Sequence, residues 1–267
     1  MQRRWQGRGP ADVATPTCYT GAVTWVLDLD GVVWLADRAI PGSAAAVARL
    51  RSRGERVVVV TNNSALTVAD YLTKLERLGV PTDTNDLVTS AQVAATLVEP
   101  TERVLVAAGP GVGEAVRARG ALCVDDGPAD VVVVGWTRQF DYELLTRAMV
   151  AVRGGARLVG TNDDATYPTA DGPLPGGGSL VAAVAYASGS DAVFAGKPYP
   201  PMVAAVRERF GPIDVMVGDR PSTDGLLAQR LGARFALVLS GVTAREDLPV
   251  DPAPDEVADD LDRLVPA

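Results

Sequence analysis

The chain has 267 residues, 47% apolar and 22% charged, which is enough for one large core or two modest ones and offers no polar run long enough for a disordered domain. A net charge of -8 gives no basic face for phosphate backbones, so no nucleic-acid partner is expected. The chain contains no histidine, which removes Ser-His-Asp triads, Cys-His pairs, phosphohistidine chemistry and histidine-based zinc sites, and leaves proton transfer to carboxylates, lysine, tyrosine or cysteine.

Residues 1–20 are Arg, Gln, Gly, Pro and Thr without period and are expected to form a flexible tail. Their basic start leads into no apolar stretch, so no secretory signal is read there and a cytoplasmic location is expected. Trp25–Leu29 predicts a strand, Gly42–Arg53 a helix, Val57–Val60 a β-branched strand and Ala69–Leu78 a helix ending at Gly79. The rhythm continues with strand Arg103–Ala107, helix Gly113–Arg119, strand Val131–Val134, helix Tyr142–Arg153 and strand Arg157–Gly160. A Gly/Pro-rich stretch, Tyr167–Ser179, precedes helix Leu180–Ser188, and a short apolar strand, Ala192–Ala195, follows. The last third predicts helix Pro201–Phe210, strand Asp214–Val217, helix Gly225–Leu231, strand Phe235–Leu239 and an acidic helix near Asp255–Leu264. Such alternation is the pattern of an α/β protein with mainly parallel sheets, and uninterrupted β-branched strands belong to sheets buried on both faces. No run approaches the length of a membrane span, so no membrane association is expected. Neither Cys18 nor Cys123 lies in a C-x-x-C pair or precedes an arginine by six residues, so a zinc ribbon and a cysteine-phosphatase loop are both excluded.

In parallel sheets the chemistry collects beyond the carboxyl ends of the strands. Four predicted strands are followed there by reactive groups: Asp28 and Asp30; Thr61, Asn62 and Asn63; Lys197 in Gly196-Lys197-Pro198; and Asp219 with Asp224. Asp28 and Asp30 are two residues apart and project the same way. Two carboxylates beside an apolar core are costly unless a positive charge joins them, and oxygen-only ligands suit Mg²⁺, with Asp219 as a further ligand. One aspartate can then act as nucleophile and the other as general acid/base. Lys197 would offset charge on a phosphoryl group, and Thr61 and Asn62 could donate to its oxygens.

Asp28–Val32 (D-L-D-G-V), Val60–Ser64 (V-T-N-N-S), Gly196–Pro198 (G-K-P) and Gly218–Asp224 (G-D-R-x-x-T-D) together resemble the four motifs of the haloacid dehalogenase (HAD) superfamily. Ile40-Pro41-Gly42, Val88–Ala91, Thr161–Asp164 and Pro175–Ser179 narrow the resemblance to its class IIA, NagD-like phosphatases, the 4-nitrophenylphosphatase-like subgroup. Val32 stands where many superfamily members carry Thr. The resemblance implies a Rossmann-like, doubly wound core over residues 21–91 and 186–267, and a smaller α/β cap inserted over 92–185. It implies Asp28 as the nucleophile that becomes an aspartyl-phosphate and Asp30 as the acid that protonates the leaving alcohol and then activates water. Mg²⁺ would be held by Asp28, the backbone carbonyl of Asp30 and Asp219, with Asp224 close by. Thr61, Asn62 and Lys197 would bind the phosphoryl oxygens. The cap loop Asn162–Gly172 would choose the substrate through Asp164 and Tyr167, with Trp34 also facing it. Association as a homodimer through the cap is a further implication.

The expected function is therefore Mg²⁺-dependent hydrolysis of a small phosphorylated metabolite, with glycerol phosphate or phosphoglycolate first. A nucleotide or sugar-phosphate phosphatase is the alternative within the class. A catalytically silent phosphate-binding regulator is the alternative outside it, and the full set of Asp28, Asp30, Lys197, Asp219 and Asp224 argues against silence. Gly109–Gly113 lacks the third glycine of a dinucleotide loop and is expected to be a tight turn, and Gly176–Gly178 is expected to carry the chain from cap to core.

Overall fold

The structure, a computed structural model, describes residues 22–169 and 171–267; the expected tail at 1–20 and Cys18 lie outside the described residues. A six-stranded, fully parallel sheet forms one half of the molecule. It is built from β1 (Thr24–Leu27), β4 (Arg56–Thr61), β5 (Leu87–Thr89), β13 (Val215–Gly218), β14 (Arg234–Val238) and β15 (Glu256–Ala258), in the order β15-β14-β13-β1-β4-β5. A small hairpin, β2 (Trp34–Leu35) with β3 (Arg38–Ala39), follows β1. A second, five-stranded parallel sheet is built from β6 (Arg103–Ala107), β7 (Leu122–Val124), β8 (Val131–Val134), β9 (Arg157–Gly160) and β12 (Val193–Phe194), in the order β12-β9-β8-β6-β7. A second hairpin, β10 (Thr166–Tyr167) with β11 (Leu174–Pro175), follows β9.

The helices are α1 (Ser43–Ser52), α2 (Val68–Arg77), α3 (Ser90–Thr96), α4 (Pro110–Ala118), α5 (Tyr142–Arg153), α6 (Gly177–Ser188), α7 (Pro200–Phe210), α8 (Leu226–Leu231) and α9 (Leu261–Leu264). Their starts follow from local chemistry. The Thr67 side chain accepts from the Asp70 amide, Thr89 and Gln92 form a capping box, and Asp141 accepts from the Leu144 amide. Pro110 and Pro200 open α4 and α7, where a missing N–H costs no hydrogen bond. No helix among the described residues is long and apolar enough to cross a membrane.

Alternation along the central strands sorts the core into layers. Val57 and Val59 of β4 join Leu27, Val47, Leu50, Tyr71 and Leu75 on one face, while Val58 and Val60 join Met202, Val206 and Leu227 on the other. That second layer runs on without a break through Ala91 and Ala94 of α3 and Val112 and Val116 of α4 to Val131 and Val133 of the second sheet. Val132 and Val134 face the opposite way, onto Ala148, Val152 and Val184. Both sheets are thus covered on both faces, as their apolar strands require.

Several elements differ from the expectation. The acidic segment at 255–264 is not one helix. Glu256–Ala258 extends the sheet by pairing with β14, Asp260 caps a new turn, and only Leu261–Leu264 is helical, with Leu261 and Leu264 buried beside α1. The apolar residues of a short edge strand followed by a turn mimic helical spacing there. The boundary drawn between 185 and 186 also shifts: Val193 and Phe194 pair with Val159 and Gly160, so the second sheet extends to Phe194. A strand of two ladder residues carries too little periodicity to reveal which sheet it joins. The segment Gly109–Gly113 is the start of α4 and not a free turn. A Cβ on Gly111 would sit 2.1 Å from the Leu66 carbonyl, and one on Gly109 would sit 2.6 Å from that of Ala65, so these glycines let α4 lie directly on the loop after β4. Gly111→Ala should therefore cost about 2 kcal/mol through forced separation of these backbones, read as a lowered urea midpoint with an unchanged m-value.

Candidate active site

Every group singled out by the sequence at a strand end collects at the carboxyl edge of the six-stranded sheet. Asp28 extends the β1 ladder by donating its amide to the Val217 carbonyl, which places its carboxylate between β4 and β13. The chain then turns sharply. Val32, Val33 and Trp34 all donate to the Leu29 carbonyl, and Gly31 adopts a φ of 86°. Gly31 has a second reason to be glycine, since its Cβ would stand 2.4 Å from Asp219 Oδ2. Asp219 itself leaves β13 and accepts from the Val242 amide at 2.6 Å. Residues Pro221–Gly225 form a widened helical turn that folds Asp224 back over the strand end, where a Cβ on Gly218 would meet its carboxylate at 2.2 Å.

Lys197 lies at the centre, 1% exposed, with Nζ 2.7 Å from both Asp28 Oδ1 and Asp224 Oδ1. Asp28, Asp219 and Asp224 bring carboxylate oxygens within 4.8 Å of one another, all three buried. Burial pushes Asp28 well above the usual carboxylate range, against the pull of Lys197, with Asp224 and Asp219 pushing the same way as burial. Burial, with Asp224 as the next cause, pushes Asp219 up to about 7. The Lys197 ammonium is held well above its ordinary value: burial works to lower it, and the two aspartates overcome that. Three buried carboxylates facing one ammonium leave an excess of negative charge. The residues present therefore fit a divalent cation with oxygen ligands, and Mg²⁺ is such a cation.

Asp30 occupies the other side of the cleft. Its Oδ1 accepts from Trp34 Nε1 at 3.0 Å and from the Tyr167 hydroxyl at 3.1 Å, and Asn63 Nδ2 approaches Oδ2 at 3.5 Å. Burial raises Asp30 above the ordinary carboxylate range, opposed chiefly by Lys74. Tyr167 comes from β10 in the other half of the molecule and packs at 5.0 Å against Trp136. Asp164, just before β10, accepts from Asn62 Nδ2 at 3.0 Å and faces Arg220 Nη1 at 3.9 Å; burial is the main cause of its raised pKa. Gly176 and Gly178 carry no chain from one half to the other. They let the start of α6 lie on the backbone of Asp163 and Asp164, where a Cβ would come within 2.2 Å.

The structure brings Asp28, Asp30, Asn62, Lys197, Asp164 and Tyr167 to one cleft. Thr61 is buried beside it, and its Oγ1 accepts from the Asn63 amide at 3.1 Å. Both hydrogens of the Asn62 side-chain amide are spent inside the protein, on Asp164 Oδ2 and on the Lys197 carbonyl. Trp34 lines the groove beside the cleft. It is 1% exposed, its ring lies under Lys74 Nζ at 4.2 Å, and its indole N–H is given to Asp30. Asn63, Trp136, Asn162, Arg220 and Thr223 line the cleft without having been assigned a role from the sequence. Arg220 stood inside a recognised motif, but only the fold reveals that its guanidinium donates to the Thr166 carbonyl at 2.9 Å.

A parallel α/β sheet carrying a buried lysine among aspartates at its strand ends is the arrangement of a phosphatase site. Comparison with known proteins is specific. A family model described as haloacid dehalogenase-like hydrolase matches residues 25–121, and a HAD-hydrolase-like model matches residues 194–264. An acid sugar phosphatase of Staphylococcus saprophyticus is 33% identical over 84% of this chain and 89% of its own length, and mouse chronophin is 35% identical over 83% and 82%. Among solved structures, glycerol phosphate phosphatase from Mycobacterium tuberculosis in complex with magnesium aligns with a TM-score of 0.83 at 33% identity, covering 91% of this chain and 76% of that one. The 4-nitrophenylphosphatase of Thermotoga maritima aligns with a TM-score of 0.83 at 33% identity, covering 92% and 97%. The chain belongs to the haloacid dehalogenase-like hydrolases, in their class IIA phosphatase branch.

The carboxylate cluster sets a pH dependence. An unfolded aspartate titrates near 3.8 and folded Asp219 near 7, with Asp28 shifted the same way, so across that window the folded state holds the more protons and stability falls as pH rises. The metal-free protein should melt at a higher temperature at about pH 5 than at about pH 7.5, and Mg²⁺ should raise Tm more at the higher pH. Scanning fluorimetry with and without EDTA checks both, and an equal Mg²⁺ effect at the two values would refute the assignment.

Proposed function

We propose that this phosphatase hydrolyses a small phosphorylated polyol, glycerol phosphate first, in a Mg²⁺-dependent reaction through an aspartyl-phosphate on Asp28. The observation that carries this reading is Lys197 Nζ at 2.7 Å from both Asp28 and Asp224 beside Asp219, with Asp30 held across the same cleft. Asp28 Oδ forms a bond to phosphorus as the ester oxygen leaves, and the Asp30 carboxyl gives its proton to the departing alkoxide. Asp30, now a carboxylate, takes a proton from water as the water oxygen bonds to phosphorus and the Asp28–phosphorus bond breaks. The raised pKa of Asp30 supports its protonated starting state, and the donors Trp34 and Tyr167 orient it. Lys197 and the Thr61 hydroxyl offset charge on the phosphoryl oxygens. Asp28, Asp219, Asp224 and the Asp30 carbonyl would hold Mg²⁺, which would supply the remaining charge neutralisation. The second sheet with its hairpin β10–β11 serves as a cap that excludes water from the cleft.

The cleft supports a hydroxylated leaving group over a carboxylated one. Asp164 and Asp30 offer acceptors for hydroxyls, whereas the cations lining the cleft are already engaged, Lys197 by two aspartates and Arg220 by Thr166 and Asp164. Phosphoglycolate would bring a second anion to those carboxylates. A sugar phosphate is the second reading, because beyond Tyr167 and Trp136 the cleft adjoins a groove of about 800 Å³ that would take a longer leaving group. A homodimer through the cap belongs to the same proposal. Tyr142, Val150, Tyr186 and Val193 expose apolar surface there, and light scattering at a monomer's mass would refute it.

Asp28→Asn should lower phosphate release by at least about 10³-fold, and EDTA should abolish turnover that Mg²⁺ then restores. Across a panel of phosphorylated metabolites, kcat/KM for glycerol phosphate should exceed that for phosphoglycolate by about tenfold. Faster turnover of a hexose phosphate would favour the second reading, and retained activity in Asp28→Asn would overturn the covalent mechanism.

A further inference from the structure

The Asn62 side chain makes a pattern of bonds that phosphate binding does not explain. Its Oδ1 accepts from the Lys197 amide at 2.6 Å, while its Nδ2 donates to the Lys197 carbonyl at 3.1 Å. A side-chain amide has an acceptor and a two-hydrogen donor, so this pairing grips both polar groups of one backbone residue, as a neighbouring strand would. The second Nδ2 hydrogen goes to Asp164 Oδ2 at 3.0 Å. The Asn62 carbonyl is occupied as well, accepting from Ser90 Oγ at 2.6 Å and from Asn162 Nδ2 at 2.7 Å. Asn162 in turn accepts the Asp164 amide at 3.1 Å. Close packing enforces the arrangement: a Cβ on Gly196 would sit 2.5 Å from Asn62 Oδ1, and one on Gly177 2.9 Å from Asn162 Oδ1. Asn62 is 8% exposed and Asn162 3%, so water competes poorly for these bonds.

We infer that Asn62 is a positioning residue that joins the Asn162–Asp164 loop to the backbone of Lys197, so that seating of that loop and placement of the Lys197 ammonium depend on each other. Lys197 carries the charge that meets Asp28 and Asp224, and its side chain can hold both only if its backbone stays where Asn62 fixes it. Asp164 touches neither Asp28 nor Lys197 among the described hydrogen bonds and ion pairs, yet it shares one amide group with the Lys197 carbonyl. Loss of the Asp164 acceptor leaves a buried N–H unpaired, which reorients the amide and loosens its hold on Lys197. The inference rests on the proposed reaction only for its kinetic consequence; the coupling is a property of the folded protein.

Hydrogen exchange on the full chain tests it without turnover. Asp164→Ala should speed exchange of the Lys197 amide several-fold, although no described hydrogen bond or ion pair joins the two residues, while Asp164→Asn, which keeps an acceptor oxygen, should leave that amide protected. Asn62→Ala should speed exchange at Lys197 and in residues 162–166 together. Changes confined to the 162–166 segment in Asp164→Ala would overturn the coupling. In the phosphatase assay, Asn62→Ala should lower kcat by about tenfold or more with KM changed less than about threefold, and adding Asp164→Ala should lower kcat no further. Full additivity of the two, or an Asn62→Ala variant that raises KM alone while Lys197 stays protected, would show a direct substrate contact and overturn the proposal. If Asn62→Ala does not fold, the Asp164→Ala and Asp164→Asn pair decides by exchange alone. A wild-type chain without phosphatase activity would refute the proposed function and leave the exchange result standing.

Discussion

The site is organised around one buried ammonium set between carboxylates. Lys197 is 1% exposed and meets Asp28 and Asp224 at 2.7 Å each, while Asp219 adds a third carboxylate that no ammonium balances. Charges taken out of water at this depth are tolerated only with close partners and fixed geometry. The surrounding backbone supplies the geometry by leaving no room. Side chains at Gly31, Gly218 or Gly241 would collide with Asp219 or Asp224 within 2.4 Å. Three positions from different parts of the chain are therefore glycine for one shared reason. The carboxylates are wedged by main chain as well as hydrogen-bonded, and the excess negative charge that remains is what suits the cluster to a divalent cation.

Holding those turns in register is the work of the apolar sheet beneath them. Asp28, Asn62 and Asp219 each follow a strand whose side chains alternate between two buried layers, so a slip of one residue would expose valines and scatter the site together. The layer formed by Val58, Val60, Met202 and Val206 continues through α3 and α4 into the second sheet. That continuity carries the Asp164–Tyr167 segment to the cleft, where it meets Asp30, Asn62 and Arg220 on three separate strand ends.

Much of this was legible in the residues. Uninterrupted runs such as Val57–Val60 and Val131–Val134 announce parallel sheets because both of their faces are covered. Polar groups directly beyond such runs mark the strand ends where a site forms. Short elements were not legible. β12 and β15 owe their membership of a sheet to partners far away in sequence, Val159 and Leu237, and two or three ladder residues carry no period of their own. The roles of Trp34 and Asn62 were hidden for a different reason. Residue type says what a side chain can donate, but not where the donor is spent, and here both give their N–H groups to protein carboxylates or carbonyls. Arg220 likewise reaches Thr166, 54 positions away in the chain, a contact that no local pattern encodes.

The absence of histidine acquires a physical reason in this setting. A general acid for an alcohol leaving group needs a pKa raised toward the working pH, and an imidazole starts there. Burial moves Asp30 in that direction, while Trp34 and Tyr167, both neutral donors, fix its orientation without adding a charge. A cationic imidazole in their place would instead pull Asp30 down and bring a further titrating group beside Asp28 and Lys197. One of the two donors comes with the turn that follows Asp28 and the other from the opposite half of the molecule. Asp30 is therefore held on both sides only when both halves are together over the cleft, which in the proposed reaction ties proton transfer to the exclusion of water.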